Sequence, residues 1–341
     1  MRVKNIWLLG ALTALLVGCV AAPEGEDQSA ITESAPEEAT TEVMPEPEAP
    51  PVVSDAFATP WPTGFTRREL ADSALAKTYE YLDQREQGAH ESILTVTHQD
   101  DVAQFHRDFG EDLAQVAVDA FSPYVVENVL LVMGTNIDFL EETLEELGRP
   151  YQSDAFPQTG TTCVAWQGTA WISMPGVFGD NAMPGDPHLS ACVPHEIFHI
   201  AQDTLDKAVY GEESQSCADE KFRPLWLVEG SAQFMGHAVV SYQGYHEYWG
   251  NHFTAGSVDL DGPRPLLSAV EPWESGWDAY KWGGLATEYI IASVGVEPLM
   301  DIWAKAGQCV PFEQGFEEAL GISLAEFYTA FDAMNEEMIA G

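Results

Sequence analysis

Apolar residues recur at helical or strand spacing along most of the chain after residue 60. Leu70, Ala74 and Thr78 lie four residues apart, which places them on one face of a helix. The predicted helices in the first half of the chain cover 66–87, 101–121 and 136–147. The predicted strands cover 93–97 and 126–133, with two more within 161–174 on either side of a Gln167-Gly168 turn.

The second half of the chain carries mainly helical spacing. One apolar, helix-compatible segment runs from Pro194 to Leu205, with Pro194 expected in its first turn, and another runs from Pro224 to about Val240. The remaining segments predict a loop over 175–190, an aromatic and turn-rich stretch over 241–278, and successive helices over 278–339. This order predicts one α+β domain over 60–341, in which 60–210 hold the strands and 211–341 are mainly helical.

The first nineteen residues are typical of a bacterial export signal. Two basic residues precede an apolar run from Ile6 to Val17, which is too short to span a membrane as a helix. The run ends in Leu16-Val17-Gly18-Cys19, which resembles a lipobox, so we expect cleavage before Cys19 and lipid on its sulfur. An ordinary signal peptide with an incidental cysteine is the alternative. A lipid at Cys19 would anchor the protein in the bacterial cell envelope, in the outer membrane or on the periplasmic or extracellular face.

Acidic residues dominate both the segment after Cys19 and the rest of the chain. Residues 20–59 contain ten acidic residues, no Lys or Arg, and almost nothing large and apolar. Such a segment cannot bury enough surface to offset its ordering entropy, so it predicts an extended tether; a functional acidic arm is the alternative. Residues 60–341 hold 45 acidic and 12 basic residues, a net charge of −33. This charge argues against nucleic acid as a partner, because phosphates need Lys and Arg.

One motif carries the chemistry of a metal site. His195-Glu196-Ile197-Phe198-His199 places two histidines one helical turn apart, so both imidazoles can bind one cation. Glu229 lies in the helix-compatible segment that begins at Pro224 and is expected to be the third ligand; an exposed carboxylate near a helix start is the alternative. Two histidines and one glutamate leave the fourth corner of a tetrahedral Zn²⁺ open to water, which is the catalytic arrangement. Glu196, next to the cation, is expected to act as a base.

These motifs resemble those of the gluzincin zinc metallopeptidases, the class that contains thermolysin and the aminopeptidase-N-like enzymes. The resemblance extends from the histidine motif to Trp226-Leu227-Val228-Glu229-Gly230-Ser231-Ala232 and Tyr280-Lys281-Trp282-Gly283, and covers about residues 160–335. It implies a zincin-like domain with a small sheet, a zinc helix and a helical C-terminal part. It also implies that Tyr280 donates to the oxyanion of the reaction; a tyrosine packed in the core is the alternative. One departure is Gln233, where thermolysin-type enzymes carry an Asp, so the group that orients the first histidine is not identified.

The same resemblance implies a place for the substrate. In gluzincins the strand just before the zinc helix forms the sheet edge, which here corresponds to residues 170–174. Ala170, Trp171 and Ile172 are therefore expected to bind the substrate backbone as an additional strand. An ordinary buried pair of strands is the alternative.

Four cysteines remain after Cys19, and an even number in an exported protein predicts two disulfide bonds. They are Cys163, Cys192, Cys217 and Cys309. The preferred pairing joins Cys163 to Cys192 and Cys217 to Cys309, although three pairings are possible. A thiolate zinc site is the competing interpretation, but no Cys-x-x-Cys spacing supports it.

Taken with the signal, these residues predict a membrane-tethered zinc endopeptidase or aminopeptidase that acts on a peptide or protein substrate. Zinc would lower the pKa of its bound water, and Glu196 would accept the proton and pass it to the leaving amine. A metallopeptidase-like lipoprotein that binds zinc and cleaves nothing, and serves as an adaptor, is the alternative. Glu196 favours the enzyme, because a purely structural zinc site needs no base at that position.

Overall fold

The computed structural model of the protein describes twelve ranges of residues between 61 and 340. They are 61–85, 93–122, 124–125, 128–134, 137–148, 162–166, 169–173, 187–206, 224–245, 247–249, 266–269 and 277–340. For 162–166, 169–173 and 187–190, and for residues 137, 206, 269, 277 and 340, only the backbone is described. The predicted signal peptide with Cys19, the acidic segment 20–59 and Cys217 lie outside the described residues.

The described residues confirm the α+β class and the order of the predicted elements. The helices are α1 (Arg67–Asp83), α2 (Gln104–Phe121), α3 (Ile137–Glu146), α4 (Pro187–Asp206), α5 (Leu225–Tyr242), α6 (Trp277–Val294), α7 (Val296–Gly307), α8 (Phe312–Leu320) and α9 (Leu324–Ala340), with a short 3-10 helix at Leu267–Ala269. The strands are β1 (Leu94–His98), β2 (Val129–Gly134), β3 (Thr162–Trp166) and β4 (Thr169–Ser173). Among the described helices, none combines the length and the apolar character that crossing a lipid bilayer requires.

The four strands form one sheet in the order β1-β2-β4-β3. β1, β2 and β4 run parallel to one another, and β3 pairs antiparallel with β4 across the predicted Gln167-Gly168 turn. The expectation that Ala170, Trp171 and Ile172 form the sheet edge is therefore wrong. Their strand β4 pairs with β2 on one side and with β3 on the other, because the hairpin folds β3 back onto the side of β4 that would otherwise be free. Of the described strands, β3 and β1 are the two at the edges.

The helix that carries the histidine motif begins earlier than predicted. α4 starts at Pro187, so Pro194 lies two turns inside the helix and not in its first turn, and residues 187–190 are helical where a loop was expected. Proline is well suited to the first turn, and here Pro187 occupies that position. Pro194 has no N–H to give to the preceding turn, so the helix loses one backbone hydrogen bond just before His195.

α5 is the central helix of the described structure. Its residues are buried almost without interruption from Trp226 to Val240, as expected for a helix surrounded by other elements on all sides. Its two neighbours approach closely at glycines. A Cβ at Gly236 would lie 2.9 Å from the carbonyl oxygen of Ala191 and 3.0 Å from the backbone nitrogen of His195, both on α4. At the other neighbour, Gly230 meets the backbone of Gly283 on α6.

These contacts explain why the motifs on α5 and α6 contain glycine next to their polar residues. Gly230 follows Glu229 directly, and Gly283 lies three residues after Tyr280. A side chain at either glycine would clash with the backbone of the neighbouring helix. The glycines therefore allow the three helices to approach at the level of the candidate ligands.

A buried ion pair joins α1 to α6. Both terminal guanidinium nitrogens of Arg67 contact the carboxylate of Glu288, at 2.9 and 2.6 Å, and the hydroxyl of Tyr248 donates to the same carboxylate. The Glu288 side chain is fully buried, so these partners replace the water that its carboxylate would otherwise contact. The ion pair holds the first helix of the domain against the helix that carries Tyr280.

Replacing Arg67 by methionine is expected to lower the free energy of unfolding by about 3–5 kcal/mol, because the carboxylate of Glu288 would remain buried without its cation. The matched control is the same substitution at the next residue, Arg68, which forms an exposed ion pair. Its pair with Asp72 is exposed, with more than half of each side chain accessible, so Arg68→Met should cost at most about 1 kcal/mol. Denaturant unfolding of both variants measures the difference. Equal losses would show that the buried pair contributes no more than the exposed one.

Candidate metal centre

Three side chains from two helices converge on one point. Nε2 of His195 and Nε2 of His199, one turn apart on α4, are 3.0 Å from each other. Oε2 of Glu229 on α5 is 3.5 Å from each of these nitrogens. All three side chains are largely buried, and Glu229 is only 3% exposed. The structure therefore brings together the three residues predicted as ligands.

The spacing of these atoms fits a tetrahedral Zn²⁺ site. With zinc bonds of about 2.0–2.1 Å, neighbouring corners of a tetrahedron lie about 3.3–3.4 Å apart. The three observed separations, between 3.0 and 3.5 Å, bracket this value. Among the described residues, no further His, Cys, Asp or Glu belongs to the group. The donor set is thus two imidazole nitrogens and one carboxylate oxygen, a set used by catalytic zinc sites.

The same proximity governs protonation of the group. Burial opposes a charge on His199, but the Glu229 carboxylate outweighs it and raises the pKa of His199 to about 9. Burial would likewise raise the pKa of Glu229, yet the charge of His199 and hydrogen bonds from both imidazoles hold it well below its usual value. The site therefore favours a carboxylate with a positive charge facing it, which a proton supplies on His199 and a divalent cation could supply in its place.

This electrostatic balance predicts how zinc binding depends on pH. Zinc needs the lone pair of Nε2, so below a pKa of about 9 its binding must displace the proton of His199. The apparent affinity for Zn²⁺ should therefore rise about tenfold per pH unit between about pH 6 and about pH 8.5. Competition with a chelator of known pH dependence measures this slope. An affinity independent of pH over this range would contradict the proximity of Glu229 to His199.

Glu196 and Tyr280 lie beside the three ligands. Glu196 follows His195 on α4, is 7% exposed, and adds to the rise in the pKa of His199, so its negative charge lies close enough to act on that ligand. The ring of Tyr280 on α6 is stacked on the ring of His195, with the centroids 6.0 Å apart and the planes 23° from parallel. The side chain of Tyr280 is half-buried, which differs from a tyrosine enclosed in the core. Both residues thus lie beside the three ligands, and their catalytic roles stay predictions.

Gln202 is a residue of the site that the sequence analysis missed. Its Oε1 lies 2.7 Å from Nδ1 of His199, and its Nε2 donates to the carbonyl of Val228, next to Glu229. The available signal was its position, three residues after His199 on the same helix, where side chains meet. Gln233, which occupies the position of the thermolysin Asp, hydrogen-bonds to His237 at 3.0 Å. An amide from α4 itself therefore contacts the second histidine.

The disulfide prediction is supported for two of the four cysteines. Cys192, one turn before Glu196 on α4, and Cys309, just after α7, are both disulfide-bonded. Cys217 lies outside the described residues, and only the backbone of Cys163 is described. The pairing of Cys163 with Cys192 and of Cys217 with Cys309 stays a prediction.

Comparisons with protein-family models, with curated proteins and with solved structures found no match to this chain. The function proposed below therefore rests on the residues of the site and on their geometry. The observations that carry it are the three converging ligand atoms, the buried Glu196 beside them and the Tyr280 ring stacked on His195.

Proposed function

We propose that the protein is a zinc-dependent peptidase of the zincin-like type. The observation that carries this proposal is the group formed by His195, His199 and Glu229, whose ligand atoms have the mutual distances of three corners of a zinc tetrahedron. Three protein ligands leave one corner for solvent or substrate, which distinguishes a catalytic site from a four-ligand structural site. Zinc bound there would polarise water and a substrate carbonyl.

The position of Glu196 supports its proposed role as the base. It lies next to His195 and acts electrostatically on His199, yet it does not belong to the ligand group. Its carboxylate would accept a proton from the attacking water and later donate it to the leaving amine. Because the side chain is largely buried, few solvent molecules compete for this proton.

Tyr280 would supply the hydrogen bond to the oxyanion. Its hydroxyl extends from a ring that is stacked on a ligand, and the helix that carries it is fixed by the Gly230–Gly283 contact. A donor held in this way needs no rearrangement when negative charge develops on the carbonyl oxygen. The role of the phenol is thus to stabilise the transition state, and zinc binding does not require it.

A peptide is the substrate class that the sheet favours. β3 pairs with β4 on one side only among the described strands, and α4 packs against both. An extended peptide could add to the outer side of β3 and lie along the helix that carries the two histidines. The substrate-binding strand proposed here is therefore β3 (Thr162–Trp166), in place of the strand that contains Ala170, Trp171 and Ile172. The lipid anchor at Cys19 and a location in the cell envelope remain part of the proposal.

The proposed function is tested by cleavage profiling of a proteome-derived peptide mixture. The protein is assayed after loading with Zn²⁺, after removal of metal by a chelator, and after zinc is restored. New N-termini are expected in the first and third samples and not in the second. Zinc binding without cleavage in any sample would favour the non-catalytic adaptor, and no zinc binding would contradict both functions.

A further inference from the structure

The amide of Gln202 connects the two helices that carry the candidate zinc ligands. Its Nε2 donates to the carbonyl oxygen of Val228 at 3.1 Å and to Oγ of Ser231 at 2.9 Å, both on α5. Its Oε1 faces Nδ1 of His199 at 2.7 Å on its own helix, α4. Gln202 is 3% exposed, so these contacts are made out of water. Both polar atoms of the Gln202 amide are thus engaged by the two helices that carry the ligands.

The direction of each hydrogen bond is fixed by its partners. The carbonyl of Val228 can only accept, so the NH₂ group of Gln202 must face it and Oε1 must face His199. Ser231 gives its own hydrogen to the carbonyl of Leu227, which leaves its oxygen to accept from Gln202. Oε1 can then only accept, so Nδ1 of His199 carries the hydrogen. In the neutral ring, Nε2 of His199 is left with the lone pair that a metal needs.

We infer that Gln202 is a positioning residue, which fixes the ring orientation and tautomer of His199 and holds Glu229 at the distance zinc requires. The second effect follows from Val228, whose carbonyl accepts from Gln202 and which directly precedes Glu229 in the chain. One amide therefore ties both ligand-bearing helices to a common geometry. This inference rests on the proposed zinc site and deepens it. A ligating histidine is oriented by a hydrogen bond to its second ring nitrogen. Loss of the partner in that bond typically lowers metal affinity 10- to 100-fold.

Two substitutions separate positioning from a contribution to folding alone. Gln202→Met keeps the approximate length of the side chain and removes every hydrogen bond, so zinc affinity should fall about 10- to 100-fold. Gln202→Glu keeps the acceptor for Nδ1 of His199, so it should bind zinc more tightly than Gln202→Met. The same variant buries a carboxylate against the carbonyl of Val228, so it should unfold at a lower temperature than Gln202→Met. Gln202→Glu is thus expected to bind zinc more tightly than Gln202→Met and to be the less stable of the two.

The measurements are zinc affinity by chelator competition, thermal unfolding of the zinc-free protein, and nitrogen NMR of the histidine rings. In the zinc-free protein, at a pH where the ring is neutral, NMR should show the Nδ1–H form of His199 in the wild-type protein and a mixture of both neutral tautomers in Gln202→Met. Gln115→Met is the matched control, because it removes a glutamine hydrogen bond to Asp119 on α2, and it should leave zinc affinity unchanged.

The possible outcomes differ for the two proposals. Wild-type affinity in Gln202→Met, or affinities that follow the order of stability, would overturn the role of Gln202 and leave the zinc site intact. If the wild-type protein does not bind zinc, the proposed function fails and this inference fails with it.

Ser231→Ala provides a milder variant should Gln202→Met not fold, because it removes one of the two acceptors of the amide. It should lower zinc affinity by a smaller factor than the loss of Gln202, and an unchanged affinity would count against the inference.

Discussion

Glu196→Gln is expected to lower kcat/KM for peptide cleavage on the order of 10²- to 10⁴-fold and to leave zinc binding unchanged. The amide has nearly the shape of the carboxylate but cannot accept a proton from water, so the step assigned to Glu196 is lost. All three ligands are retained in the variant, because the zinc-binding group consists of His195, His199 and Glu229. Steady-state cleavage of a peptide found by profiling, together with the zinc content of the purified variant, measures both effects.

The matched control for this variant is Glu313→Gln, which makes the same change in the first turn of α8 on an exposed side chain. It should retain both wild-type activity and zinc. The role of Glu196 would be contradicted if Glu196→Gln cleaved the peptide at the wild-type rate. Loss of zinc from this variant would show instead that Glu196 helps to hold the metal.

Glu229→Ala is expected to reduce zinc affinity on the order of a thousandfold or more, because it removes a direct ligand, and even partners outside the ligand set change affinity 10- to 100-fold. Activity should disappear with the metal. The fold should persist, since His199 can remain neutral once the carboxylate that raises its pKa is gone. Zinc titration calorimetry and far-UV circular dichroism report the two properties separately.

Glu317→Ala on α8 serves as the control, because this exposed carboxylate lies outside the candidate site. It should bind zinc as the wild-type protein does. Wild-type affinity in Glu229→Ala would mean that the two histidines recruit another ligand, and the three-ligand site would then be wrong.

The sequence predicted the elements of the fold well where the signal is local. The Gln167-Gly168 turn between two short apolar runs predicted the β3–β4 hairpin, and helical spacing predicted α5 from Pro224 onward. The position of β4 within the sheet was not predictable in this way. It depends on which strand pairs with its second side, and the alternation of residues along β4 is the same in either case.

The candidate site shows the same division between local and distant information. His195 and His199 are related by the period of a single helix, so their proximity follows from the sequence. The approach of Glu229 and Tyr280 depends on how helices cross, and the resemblance rather than the spacing suggested it. Gln202 was missed because a glutamine in an apolar helix is common, and only its contacts across to α5 distinguish it.

The start of α4 illustrates a further limit of local rules. Pro194 is a plausible first-turn residue by itself, but Pro187 fits the same rule and lies two turns earlier. The rule gives no preference between them, and a single proline can be accommodated inside a helix at the cost of one hydrogen bond. Packing of α4 against the sheet and against α5 outweighs this cost.

The central claim is that three side chains hold one zinc ion and leave it a free corner. The most direct test is a crystal structure of the zinc-loaded protein, with the metal located by its anomalous scattering. One zinc ion is expected about 2.0–2.2 Å from Nε2 of His195, Nε2 of His199 and a carboxylate oxygen of Glu229, with solvent as the remaining ligand. A zinc ion bound elsewhere, or one with a fourth protein ligand at this site, would contradict the claim.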